Sequence, residues 1–434
     1  MLVYMNVLNR KKILRIALPA MVENLLQMLM GFVDNFLVAQ ISLIAVSGVA
    51  MANNVITVYQ ALFIALSSAI SSLLARSIGQ NDETKEIEYM AKAIMVTLLL
   101  SLLLGLFNLF LGSFTLRLLG ANGDLVKIGY KYLSVVGGMI LSLGLLTSLG
   151  TIVRVHGMSK LPMHVSFLTN ILNAILSSLS IYLFHFGIMG VAWSTVFSRL
   201  IGIIVLASFL PIKKIIKSMT LKIDWEMFSL ALPAAGERLM MRLGDLLILT
   251  IIVHFGTEVL AGNAIGETIS QFNYMPGMAV ATASVILVAN LVGSQKEDQI
   301  HLFIRDAFML STLVMVLFSF LIFLSTPLLV PLFTVNHQAY KAAEVVLLFS
   351  LLSAPATSGT LVYTALWQGL GNAKLPFYAT SIGMWLIRII VGYLLGIQFK
   401  FGLEGVWLAT ALDNLTRWLI LKRVYDKRKS FNVN

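Results

Sequence analysis

Asp34 is a carboxylate set in an apolar stretch, Gly31-Phe32-Val33-Asp34-Asn35, with no basic residue within two helical turns. A charge at the middle of a bilayer costs roughly 2.5 to 3.5 kcal/mol on insertion scales, so it needs a reason. Glu23 lies eleven residues earlier, a separation that brings a helix back to nearly the same face. Both carboxylates are therefore expected along one side of the first apolar segment. A carboxylate without a countercharge in an apolar site favours its protonated form, so such a group can take a proton on one side of a membrane and lose it on the other. The competing role for Asp34 is structural, as a hydrogen-bond acceptor for polar groups on neighbouring helices.

A second charged cluster comprises Glu237, Arg238, Arg242 and Asp245. Arg238, Arg242 and Asp245 fall at i, i+4 and i+7 and share a face, and the spacing predicts that Arg242 pairs with Asp245. Two roles stay open. The cluster is either a self-neutralised network that fixes helix packing, or a gate in which Arg238 or Arg242 reaches Glu23 of the other half. Glu267, Arg199, Arg388, Asp413 and Arg417 also lie near or within apolar segments, and several are expected to snorkel to an interface. His156, His164, His185, His254, His301 and His337 show no metal-ligand or nucleophile-base spacing. The chain has no cysteine. No metal site, cofactor, redox centre or enzymatic chemistry is expected from this pattern.

These charges must be positioned by membrane helices. With 58% hydrophobic and 12% charged residues, the chain cannot be wrapped around a single water-soluble core. Twelve apolar segments are long enough to span, near 13–39, 43–75, 93–115, 126–152, 162–185, 188–211, 227–255, 257–292, 307–332, 342–368, 376–398 and 402–421. The first is too long for a signal-peptide core and is expected to remain as a transmembrane helix. The two sets of six are copies. Ala17-Leu18-Pro19-Ala20 recurs as Ala231-Leu232-Pro233-Ala234, and Gly48 and Gly79 match Gly262 and Gly293, all at an offset of 214. Gly157-Met158-Ser159-Lys160-Leu161-Pro162 returns as Gly371-Asn372-Ala373-Lys374-Leu375-Pro376 at the same offset. Beyond one insertion the offset becomes 215, matching Gly187, Gly190 and Thr195 to Gly402, Gly405 and Thr410. A long apolar chain with a two-fold repeat is the signature of a transporter.

Of the 31 Lys and Arg residues, 21 fall in the terminal segments and the alternate loops on their side, which places both termini in the cytoplasm of a multi-pass cell-membrane protein. Six spans per half make the repeats parallel, related by an axis along the membrane normal. The expected units are 1–212 and 227–434, joined by a basic cytoplasmic linker at 213–226. That linker carries Lys213, Lys214, Lys217 and Lys222, followed by an amphipathic stretch around Trp225, and is expected to lie on anionic headgroups. The charge of +11 is explained by topology, so no nucleic-acid partner is expected. The reading anticipates a monomer.

The repeat, the twelve spans and these motifs resemble the multidrug and toxic compound extrusion family of cation-coupled exporters. The resemblance covers nearly the whole chain. It is carried by the Leu-Pro and acidic residue of span one, the Gly-x-x-Lys-Leu-Pro turns, and the Gly-x-x-Gly-Val-Ala-x-x-Thr opening of span six. The run from Leu232 to Arg242 is most similar to the branch named after DNA-damage-inducible protein F. The resemblance implies a V-shaped pair of six-helix bundles with a central cavity, exchanging protons or sodium for amphiphilic, often cationic drugs by alternating access. It implies Asp34 as the coupling acid, with Asn173 and Thr195 as companions. Many relatives have a second acid where this chain has Ser177, and span ten lacks the mid-helix acid of sodium-coupled relatives. Proton coupling is therefore favoured, with sodium as the alternative.

On this reading, protonation of Asp34 breaks its hydrogen bonds to Asn173 and Thr195, and span one rearranges at a helix already weakened by Pro19. Pro276 and Pro355 have no counterparts in the first half and are expected to bend spans eight and ten. Met28, Met30, Met240 and Met241 could offer an adaptable apolar surface to varied substrates, or serve ordinary packing. A lipid-linked oligosaccharide flippase of related architecture is the nearest alternative function. It would call for a basic cavity, whereas the best cavity candidate here is an acid.

Overall fold

The computed structural model describes residues 7–220 and 225–431, with side chains described through residue 428. Lys222 of the expected linker lies outside the described residues. The described chain is helical, and no strand occurs within it. The elements are α1 (Val7–Ala39), α2 (Leu43–Gly79), α3 (Glu83–Leu118), α4 (Asp124–Val136), α5 (Leu141–Val155), α6 (Lys160–Tyr182), α7 (Gly187–Ser208) and the short α8 (Ile212–Lys217). The second half continues with α9 (Trp225–Val253), α10 (Thr257–Gly293), α11 (Ile300–Leu324), the single turn α12 (Thr326–Leu329), α13 (His337–Gly369), α14 (Lys374–Ile382) and α15 (Gly402–Phe431).

Among the described residues, nine helical segments are long and apolar enough to cross a membrane, and the bent pair α4 and α5 makes a tenth. The ninth is α14 together with the winding that continues it to Gln398. The α9 and α15 helices, of 29 and 30 residues, complete the twelve spans. Each carries charged residues within its length, Glu237, Arg238, Arg242 and Asp245 on α9 and Asp413 and Arg417 on α15.

Local sequence explains where the helices begin and end. Ser42 caps α2 by accepting from the Ala45 N–H at 3.1 Å, and Asp82 caps α3 by accepting from the Lys85 N–H at 3.0 Å. Asn336 caps α13, accepting from the Gln338 and Ala339 N–H groups at 2.8 and 3.0 Å. The α11 helix stops at Leu324, short of the expected 332, because Pro327 and Pro331 follow. The expected fourth span, 126–152, is broken in two, with α4 and α5 meeting at 44°. Gly137 and Gly138 form the break. There Asn108 of α3 donates to the Gly137 carbonyl at 3.3 Å, and Gly105 packs directly against the Gly138 carbonyl.

The repeat reappears in the backbone. Among the described residues, four non-glycine residues have left-handed φ, a conformation uncommon for them, and they form two matched pairs. Asn81 and Gln295, at 55° and 56°, are 214 residues apart, and His185 and Lys400, at 54° and 60°, are 215 apart. Gly157 and Gly371, at 82° and 83°, supply the left-handed turn that opens α6 and α14, respectively. The offset therefore changes by one residue between 371 and 400. That interval contains two π-helical stretches, Gly383–Val391 and Leu394–Gln398, which continue α14 with a wider winding. Its counterpart in the first half, α6, is α-helical throughout. The extra residue is taken up inside the helix instead of in a loop.

The chain divides into two compact units. One contains the described residues within Val22–Phe228, and the other those within Met1–Met21 and Ser229–Asn434. The first unit is built around Phe63, Leu116, Leu133, Ile140 and Val191, all essentially inaccessible to solvent. In the second, Ile248, Ile252, Val346 and Val406 form one core cluster and Ile269, Val330 and Leu347 another. The first turns of α1 pack with the second unit, where Asn9 donates to the buried Asp306 of α11 at 2.8 Å. The first turn of α9 packs with the first unit, where the Tyr89 hydroxyl donates to Glu226 at 2.8 Å. Trp225 opens α9 directly and is exposed. Ile215 anchors α8, leaving Lys213, Lys214 and Lys217 exposed.

Candidate functional site: a carboxylate held by neutral groups

In the first unit, α1 presents Asp34 to α6. The Asn173 amide donates to Asp34 Oδ1 and Oδ2 at 3.3 and 3.5 Å, and also approaches Met30 Sδ at 3.5 Å. Ser177, one turn along α6, donates to Asn173 Oδ1 at 2.8 Å. This bond turns the amide nitrogen towards the carboxylate. Asn173 and Ser177 are both inaccessible to solvent, whereas Asp34 is half-buried. Asn170 donates to the Leu26 carbonyl at 2.8 Å, so two asparagines three residues apart fasten α6 to α1. A polar group without a partner in such a place is costly, and the chain Ser177 to Asn173 to Asp34 supplies one at each step.

Thr195 of α7, expected to bond Asp34, gives its hydroxyl proton to the Val191 carbonyl at 3.0 Å within its own helix. Its side chain interacts with Tyr132 of α4, which is also buried. One turn after Thr195, Arg199 lies within electrostatic reach of both Asp34 and Tyr132, and its Nη1 is buried without a hydrogen-bond partner. The carboxylate therefore has a cation nearby that its own helix does not supply. Sequence reasoning missed this because the two residues are distant in the chain and an arginine in a span is ordinarily read as snorkelling.

Nearer the start of α1, and in the same unit as Asp34, Glu23 is ion-paired to Arg154 of α5. Of the two roles left open for Arg238 and Arg242, the gate would pair one of them with Glu23, whose partner in this structure is Arg154. Two residues further on, His156 Nε2 lies 2.7 Å from Glu86 Oε1 and Nδ1 lies 2.7 Å from the Ile152 carbonyl. Together these pairs join α5 to α1 and α3.

The second unit treats its charges differently. Thr380 of α14 donates to Glu237 Oε1 at 3.1 Å, with Arg238 and Arg417 within electrostatic reach. Arg417 and Asp413, one turn apart on α15, form a salt bridge at 2.7 Å and are both buried. Gly383, the first residue of the π winding, packs so closely on this pair that a Cβ there would collide with Asp413 and Arg417. Asp245 does not pair with Arg242, as its spacing suggested, but with Arg388 at 3.0 Å, while Arg242 is exposed. The partner comes from the π-helical stretch, whose winding local i, i+3 reasoning could not anticipate. Glu267 of α10 interacts with Asn263 and lies within electrostatic reach of Arg388, and Trp407 donates to Asn263 at 2.9 Å. Pro19, Pro233, Pro276 and Pro355 all lie inside helices that continue through them.

A membrane protein of twelve spans in two repeated units, with a carboxylate held by neutral groups inside one of them, has the build of a transporter. The family model MatE matches the chain twice, at residues 19–179 and 233–394, with starts 214 apart and ends 215 apart. The chain belongs to the MatE family of membrane transporters. The transporter YisQ of Bacillus subtilis is 25% identical, covering 94% of this chain and 92% of its own length. The probable multidrug resistance protein NorM of Thermotoga maritima is 28% identical, covering 94% of this chain and 90% of its own. The fold is that of a crystal structure of MATE in the bent conformation, with a TM-score of 0.89 at 20% identity over 98% of this chain and 97% of that one.

Proposed function

We propose that this protein is a secondary active multidrug exporter that exchanges amphiphilic, often cationic compounds for protons, with Asp34 as the coupling group. The name of the Thermotoga relative supports the drug-export task. The observation that carries the coupling is the bonding of Asp34 to Asn173 and, through it, to Ser177. An ionised Asp34 accepts from the Asn173 amide. When a proton arrives, the carboxyl gains a donor and loses its charge, so the attraction of the amide weakens. The α1 helix is then freer to move against α6.

Coupling requires proton and drug to stabilise different conformations, since a ligand that binds both states equally shifts neither. The basic ends of the spans support cytoplasmic termini, and with them proton entry from outside and release inside. Sodium is the alternative ion. It would need several neutral oxygens besides Asp34, and here Asn173 presents its amide nitrogen to Asp34 and its Oδ1 to Ser177.

The test is efflux of a fluorescent lipophilic cation from proteoliposomes under an imposed pH gradient with sodium absent. Wild type is expected to transport, and a folded Asp34→Asn protein to lose this activity. Normal efflux by Asp34→Asn would overturn the assignment. Transport by wild type only when sodium is supplied would replace the proton with sodium, and silence under both gradients would favour a lipid-linked substrate.

A further inference from the structure

Intrahelical arginines in this chain usually touch their carboxylate directly: Arg154 with Glu23, Arg388 with Asp245 and Arg417 with Asp413. Arg199 does not follow this pattern. Its Nη1 is buried with no hydrogen-bond partner among the described residues, and no direct ion pair is formed there. The residue is half-buried, and a guanidinium nitrogen withdrawn from water without a direct partner is costly. The titratable groups within its electrostatic reach are Tyr132 of α4 and Asp34 of α1. The α6 helix offers Asp34 only the neutral Asn173 and Ser177.

We infer that Arg199 is the built-in counter-cation of Asp34: it neutralises the ionised carboxylate, is released when Asp34 takes a proton, and repels sodium from the site. This deepens the proton-coupled reading and rests on it. A second acid in this bundle would compensate a bound metal cation, but Ser177 stands at that position and a fixed positive charge stands nearby. Sodium would have to bind Asp34 against that charge, whereas a proton forms a covalent O–H bond on the carboxylate and removes the attraction at once. Arg199 is thus a positioning residue, acting through the charge state of Asp34. Its placement at i+4 from Thr195 directs it to the face of α7 that carries Thr195 towards Tyr132.

The experiment compares wild type with Arg199→Met and Arg199→Lys in proteoliposomes, under a pH gradient alone and under a sodium gradient alone. Wild type is expected to ignore sodium. Arg199→Met is expected to lose most proton-driven efflux and to gain sodium-driven efflux at least about tenfold above its sodium-free rate, the effect of roughly 1.4 kcal/mol of relieved repulsion. Adding Asp34→Asn should abolish that gain, and Arg199→Lys should behave as wild type. Arg199→Met that stays insensitive to sodium with wild-type proton-driven efflux would overturn the inference. If Arg199→Met does not fold, the pair Asp34→Asn with Arg199→Met must fold, because both charges leave together. Failure of that double variant would also overturn it. Loss of the proton-coupling reading itself is seen separately, as unimpaired efflux by Asp34→Asn alone.

Discussion

The two halves are copies in backbone and opposites in charge handling. In the first, Asp34 of α1 meets the neutral Asn173 of α6. In the second, Asp245 of α9 meets Arg388 on the π winding that continues α14, and at the 215-residue offset Arg388 is the counterpart of Asn173. Asp245 is not the mate of Asp34, which falls on Ile248 at the 214 offset, so the second half places its acid one turn away and gives it a cation instead of an amide. Glu23 and Glu237, mates at the 214 offset, show the reverse assignment. The same acid is paired to Arg154 in one half and accepts from Thr380 in the other. On a duplicated scaffold, an acid can thus meet a cation in one unit and a neutral donor in the other.

The most severe test of this comparison is to neutralise each acid in turn. Asp34→Asn should reduce gradient-driven drug efflux by roughly 5- to 150-fold, the range of ordinary coupling energies. Asp245→Asn should leave it within about twofold, because its partly exposed ion pair contributes little. Equal losses of efflux in the two variants would erase the distinction between the halves.

Next in size is stability in the second unit. Arg417→Met strands the buried Asp413 and should cost about 3–5 kcal/mol in detergent unfolding, whereas Asp413→Leu with Arg417→Met should recover most of it. A double variant as unstable as the single would show that the pair's role is more than mutual neutralisation. Ser177→Ala is smaller. Losing its bond to Asn173 should cost about 0.5–1.5 kcal/mol and lower proton-driven efflux severalfold at most, as read from initial rates.

The smallest effect is at Asp82, where the Lys85 backbone N–H, helped by the Lys85 ammonium at 3.3 Å, holds the carboxyl below its ordinary range. Its folded-state value is depressed, so its stabilisation is present above the unfolded carboxylate range and lost as pH falls through the folded one. Asp82→Ala should therefore lower the unfolding temperature at neutral pH and converge with wild type in acid. An unchanged difference across that titration would remove the cap from consideration.

Much of this was legible in the sequence because glycine and proline are sparse and demand particular backbone. Gly157 and Gly371 announced the same turn twice, and the offset change from 214 to 215 was visible in Gly187 and Gly402. Asp34 was legible because a carboxylate amid apolar neighbours is anomalous on its own. Arg199 was not, because its meaning depends on a helix far away in the chain. The break between α4 and α5 carried a signal that went unread: Gly137-Gly138 is a breaker pair within an otherwise continuous apolar run. Asp245 was assigned to Arg242 because sequence spacing reports neighbours on one helix, and its actual partner sits on another.

The wide winding of residues 383–398 bears on how such a chain can be rewritten. Adding one residue to an α-helix rolls everything beyond it by about 100°, so polar groups would turn towards lipid. Here the addition is confined to a local widening, and the turn that follows keeps the same backbone at Lys400 as at His185. A membrane helix with this tolerance can accept edits one letter at a time without discarding the span. The two halves could thus diverge in heredity while still fitting the same mould, and the widened stretch preserves the place where their histories parted.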